Sequence, residues 1–111
     1  QAACLDTLFA ERTFDFILMD IEGGESNAIS GGYELIKRSS VFVVEYGPSH
    51  IKRVANKSIA EFADALLELR FECVEFPSLG IKGAPHECLL SSLIEIDRVG
   101  GYEDGIIFTR T

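Results

Sequence analysis

Apolar residues in this chain fall into short runs separated by polar, turn-forming segments, with one longer helical stripe between them. Phe14 to Met19 is nearly continuous apolar sequence bounded by polar residues, the signature of a strand covered on both faces. Gly23 to Arg38 follows, with Ala28, Ile29, Tyr33 and Ile36 near helical spacing. Gly31-Gly32 lies inside it, so the pattern predicts a helix broken in two. Val41 to Glu45 is β-branched and aromatic and reads as a second buried strand, stopped by the turn-rich Tyr46-Gly47-Pro48-Ser49.

The clearest helix runs from Ser58 to Arg70. Ser58 and Glu61 form the capping-box spacing that satisfies the first free N–H groups of a helix. Ile59, Phe62, Ala63, Leu66 and Leu69 then make one apolar stripe. Phe71 to Phe76 reads as a strand ended by Pro77-Ser78-Leu79-Gly80. Ile81 to Leu93 carries no clear period and is taken as a loop with one helical turn. Gly100-Gly101 is a turn, and Gly105 to Thr109 a last strand. Strands alternating with helices predict an α/β fold: a mainly parallel sheet with one antiparallel strand.

At 111 residues the chain fits one domain at most, and it shows no repeat, low-complexity tract or linker. The apolar runs are strand-sized and no secretory signal is visible, so a cytoplasmic protein off the membrane is expected. The net charge of -8 is spread along the chain, and such a surface repels nucleic-acid backbones. Cys4, Cys73 and Cys88 lack metal-site spacing and read as reduced, mostly buried thiols. His86-Glu87-Cys88 offers two metal ligands without companions. Asn56-Lys57-Ser58 matches a glycosylation sequon, which matters only in a secretory compartment.

The candidate chemistry is carboxylate chemistry. The first strand runs into Asp20-Ile21-Glu22-Gly23-Gly24-Glu25, and the second ends on Glu45. Open α/β sheets hold ligands at the carboxyl ends of their strands. Neighbouring strands lie about 4.8 Å apart, so Asp20 and Glu45 are expected to meet at one rim. There they can share a proton as general base toward a hydroxyl, or share a hard ion such as Mg²⁺ or Mn²⁺. A carboxylate closing a buried strand has little structural reason to be there, which favours function for both. Glu22, Glu25, Tyr46 and His50 are candidates for substrate contact, with Pro48 beside them. Plainer accounts stand next to these. Glu25 in a first helical turn is favoured by the helix dipole alone. Glu22 fits a solvated loop equally well, His50 reads as a surface histidine, and Gly23-Gly24 permits a tight turn.

Asp20-Ile21-Glu22-Gly23-Gly24-Glu25, then Ile29-Ser30-Gly31-Gly32, then Val43-Val44-Glu45, resembles the second half of the FkbM family of S-adenosylmethionine-dependent methyltransferases. Asp104-Gly105-Ile106-Ile107-Phe108 is similar to that family's closing strand. The resemblance implies the C-terminal part of a class I, Rossmann-like methyltransferase sheet, a single partial domain over residues 1–111 supplying strands four to seven. It implies S-adenosylmethionine as cofactor, contacted by Asp20 and Glu22, and O-methylation of a carbohydrate or secondary-metabolite hydroxyl. The glycine-rich turn that such a cofactor needs does not occur before Asp20, so the chain is expected to be inactive alone. The rival reading is a non-enzymatic module that self-associates through an exposed sheet edge, giving a homo-oligomer. A third is a carboxylate site holding Mg²⁺ with no methyl donor nearby.

Overall fold

A computed structural model describes residues 15–19, 29, 31–48 and 58–110. Within these, the order of elements is β1 (Phe16–Met19), α1 (Tyr33–Lys37), β2 (Val41–Tyr46), α2 (Ile59–Leu67), β3 (Cys73–Phe76), β4 (Ile81–Pro85), α3 (Leu89–Arg98) and β5 (Glu103–Thr109). Two short 3₁₀ turns, Pro77–Leu79 and His86–Cys88, flank β4. The class is α/β, as the alternation predicts.

One sheet holds all five strands in the order β1-β2-β5-β3-β4. β1 and β2 pair in parallel, from Phe16 opposite Val41 to Met19 opposite Val44. β5 lies antiparallel between β2 and β3, and β4 antiparallel to β3. β1, β2 and β3 therefore run one way and β5 and β4 the other. The mainly parallel sheet with one reversed strand is thus corrected to a mixed sheet with two. The extra reversal is β4, which returns on β3 through a 3₁₀ turn closed by Gly80 at φ 69°. Glycine adopts that left-handed conformation at little steric cost.

The expected loop over Ile81 to Leu93 is the main correction. Its first part is β4, an edge strand holding Gly83 and Pro85, whose composition hides it. Its second part opens α3. Leu89, Leu93 and Ile96 are buried at helical spacing with Ser92 among them, whose hydroxyl donates to the Cys88 carbonyl at 2.9 Å. The capping box at Ser58 is present in full: the Ser58 hydroxyl accepts from the Glu61 N–H at 3.1 Å, and Glu61 Oε1 from the Ser58 N–H at 2.9 Å. α2 ends at Leu67, three residues before the expected Arg70. Gly32 marks the start of α1 as a turn, matching the expected helix break.

Alternation along β2 sorts the two faces of the sheet. Phe42, Val44 and Tyr46 join Val74, Phe76, Ile106 and Phe108 in one buried cluster. Phe62 and Leu66 from α2 and Leu93 and Ile96 from α3 complete it. Phe42 stacks on Phe71 and Phe108 at centroid distances of 6.2 and 5.9 Å. Burying one such ring contributes roughly 2–3 kcal/mol. Val41, Val43 and Ile107 on the opposite face are only half-buried. Phe16 and Leu18 beside them on β1 are 57% and 63% exposed, which corrects the expectation of a strand covered on both faces: β1 is packed on one face and open on the other.

Arg110 closes one end of this sheet. It follows Thr109, which pairs with Val41, the first residue of β2. Its Nε donates to the Ser39 carbonyl at 2.9 Å and one terminal nitrogen to the Arg70 carbonyl at 2.8 Å. The other terminal nitrogen donates to Lys37 and, at 3.4 Å, to Leu69. These carbonyls belong to the chain leaving α1 and α2, where orphan acceptors and the negative end of the helix dipole favour a cation. The guanidinium also lies 3.9 Å above the Phe71 ring centroid.

Candidate functional site

The other end of β2 carries the acids. Glu45 shares its face with Val41 and Val43, yet it is only 7% exposed. Tyr102, on the segment that enters β5 after Gly100-Gly101, donates its phenolic hydrogen to Glu45 Oε2 across 57 residues of sequence. Opposite Glu45 the pairing slips, with Val44 facing Ile106 and Tyr46 facing Glu103. One residue on β2 thus opposes two on β5, a bulge at Asp104-Gly105. Gly105 belongs there for a steric reason: a Cβ would meet Val43 Cγ1 at 2.9 Å.

A second buried carboxylate, Glu103, lies close by at 2% exposure. Its Oε1 accepts from the Ser78 N–H at 3.0 Å and the Ser78 hydroxyl at 2.8 Å, and its Oε2 from the Gly105 N–H at 3.3 Å. Such a charge is tolerated because donors surround it. A concavity of about 710 Å³ opens beside the pair. Phe16, Val41, Val43 and Ile107 form its apolar floor, and Tyr102 and Glu103 stand on its polar side.

Of the residues expected at the site, Glu45 is placed as a buried strand-end carboxylate bordering this concavity through Tyr102. Asp20, Glu22, Glu25 and His50 lie outside the described residues, as does Cys4. Asp20 directly follows Met19, and Met19 is the partner of Val44, the residue before Glu45. Tyr46 belongs to the core instead of an acceptor pocket. It is fully buried, stacks on Phe62 at 5.5 Å and donates its hydroxyl to the Leu93 carbonyl at 3.4 Å. Burial, and then the charge of Asp97, push its phenol well above the ordinary tyrosine range. Pro48 is buried.

Among the described residues no group of three His, Cys, Asp or Glu side chains is placed to hold a metal ion. His86 Nε2 lies 3.5 Å from Glu87, and Cys73 and Cys88 are free, half-buried thiols. No described helix is long and apolar enough to cross a membrane. Tyr102 and Glu103 escaped sequence reasoning. Simple alternation back from Phe108 and Ile106 would bury Asp104, and it is the bulge at Asp104-Gly105 that puts Glu103 opposite Tyr46 instead, which no local pattern announces.

Neither curated proteins nor solved structures gave a match to the chain. The family model described as the methyltransferase FkbM domain matches residues 1–74, from the chain's start into β3. That stretch contains Asp20 and Glu45, while Tyr102 and Glu103 fall beyond it. With 74 of its 111 residues matched, the chain belongs to the FkbM methyltransferase domain family.

Proposed function

We propose that this chain works as part of an S-adenosylmethionine-dependent O-methyltransferase acting on a hydroxyl of a carbohydrate or secondary metabolite. The observation that carries the reading is Glu45, a carboxylate buried at the end of a parallel-paired strand, beneath a phenol that borders a cavity. The family uses S-adenosylmethionine, which when bound supplies an electrophilic methyl group on a sulfonium. The protein's share is to orient the acceptor and take its proton, work suited to a positioned carboxylate. Asp20 and Glu45 fill that role, with Glu22 contacting the cofactor and Glu22, Glu25 and His50 near the acceptor. The donor set is all oxygen, so any assisting ion is Mg²⁺ or a similar hard cation.

No glycine-rich turn precedes Asp20 in these 111 residues, so the chain alone is not expected to hold the cofactor. Calorimetric titration with S-adenosylmethionine tests this directly. The 111 residues alone should give no heat. The same chain joined to a segment bearing a strand and glycine-rich turn should bind, and should lose methyl transfer when Glu45→Gln is introduced. Binding by the isolated chain would overturn the partial-domain reading. Undiminished transfer by Glu45→Gln would remove Glu45 from the chemistry.

A second reading rests on β1, at the sheet's edge with Phe16 and Leu18 exposed. Such an edge invites pairing with another chain, and a homo-oligomer is the expected state. Sedimentation of the chain at micromolar concentration reads this, and a monomer together with cofactor binding would set the module reading aside.

A further inference from the structure

Glu45 is too buried for a ligand in the cavity to reach freely, whereas Tyr102 is 42% exposed and lines the cavity. The same phenol donates to Glu45. A phenolic oxygen both donates and accepts, so it can take a hydrogen bond from one side while giving one to the other. Phe16, Val41, Val43 and Ile107 line the apolar part of the cavity, and Ser78, Tyr102, Glu103 and Asp104 line its polar part. Gly105 keeps the apolar floor low, since a side chain there would collide with Val43. Glu103 is saturated by Ser78 and Gly105 and is a poor rival for the role.

We infer that Tyr102 links the cavity to Glu45 as a relay, and that the cavity takes an alcohol or phenol with an apolar body. The inference rests on the methyl-transfer reading of Glu45 and names its acceptor class. S-adenosylmethionine, when bound, would supply the methyl group to the acceptor oxygen, and the residues of this chain would take up the acceptor's proton. The acceptor proton passes to the Tyr102 oxygen, and the phenol's own proton passes to Glu45. One O–H bond is lost and one gained at the phenol, which ends neutral, and Glu45 ends protonated. Tyr102 is thus a catalytic residue outside the stretch that the family match covers.

Binding of p-cresol and toluene to the 111-residue chain, followed by amide NMR, tests the inference without any methyl donor. p-Cresol should shift the Val43, Gly105 and Ile107 signals, and toluene should bind about tenfold more weakly, the value of one well-made hydrogen bond. Tyr102→Phe should bring p-cresol down to the toluene level. If that variant does not give a folded spectrum, Glu45→Gln, which keeps an acceptor for the phenol, should still lower the preference at least threefold. Equal binding of the two probes, an unchanged preference in both variants, or no shift with either probe would overturn the relay. None of these outcomes bears on cofactor binding, so this inference and the methyltransferase reading fail separately.

Discussion

The two ends of the β2–β5 pair are built on opposite principles. At the end where β2 begins, one cation, Arg110, gathers four carbonyls from the exits of α1 and α2 and stacks on Phe71. Every contact there serves to hold helices to the sheet. At the end where β2 finishes, two carboxylates are buried on the paired strands β2 and β5, one hydrogen-bonded by its own scaffold and one held by a phenol that borders a cavity. Burying charge is costly unless it is paired or hydrogen-bonded. The first end spends its charge on stability, and the second keeps one acid under a group that a ligand can meet.

The sharpest way to break this contrast is Arg110→Ala. It removes four donors and a ring contact while leaving half-buried carbonyls to find water, and it should cost about 4 kcal/mol. Arg110→Lys keeps the charge without the planar fork and should recover less than half of that. Urea denaturation reads both. A loss under about 1 kcal/mol for the alanine variant would mean the end is not locked as described.

Glu103→Gln sharpens the contrast within the acidic end. One carboxylate oxygen becomes an NH₂ group facing a donor, either Ser78 or the Gly105 N–H. A repelled, unsatisfied donor of this kind costs about 2 kcal/mol. Glu103 is thereby expected to behave like Arg110, as scaffold. If the same change were silent for stability, Glu103 would rank with Glu45 and the distinction between the two acids would fall.

Much of this arrangement was legible from the residues, and what was not has physical causes. β1, β2, α2 and its capping box follow from local pattern, because apolar runs and Ser58–Glu61 spacing need nothing outside their own window. The match of residues 1–74 to the family covers the same stretch that carries Asp20 and Glu45. β4 was hidden because Gly83 and Pro85 are tolerated only where an edge strand leaves its outer side unpaired. α3 was cut short because its buried stripe includes Ser92, satisfied by a backbone carbonyl. Tyr46 was legible and misjudged: alternation from Phe42 and Val44 already sets it on the packed face. The Tyr102–Glu45 bond joins residues 57 positions apart, and no local window contains it.

Tyr46 lies under the acidic end and gives it a pH signature. Its folded pKa is raised above the ordinary tyrosine value of about 10. Below that value both folded and unfolded chains keep the proton, and the full stability is present. Above it the unfolded chain releases the proton while the folded chain holds it, so stability falls by up to about 1.4 kcal/mol per pH unit. Tyr46→Phe removes this loss and sacrifices only a long hydrogen bond, worth about 0.5 kcal/mol. Denaturation at pH 8 and pH 11 should show the variant slightly weaker at the lower pH and stronger at the higher. Parallel curves at both values would show that Tyr46 is not the group whose ionisation the fold resists.

Glu45→Gln carries the smallest expected effect on stability and the most weight for the contrast. The amide keeps an oxygen for the Tyr102 hydroxyl, and removing a buried charge offsets what the charge-assisted bond supplied. The net change should stay within about 0.5 kcal/mol, four times less than for Glu103→Gln. That outcome would leave the Glu45 charge with a role other than folding. The same substitution is expected to weaken the preference of the cavity for a hydroxyl, so stability and binding should part company at this one residue. A loss of 2 kcal/mol would instead make Glu45 a second Glu103, and the acidic end would then be scaffold throughout.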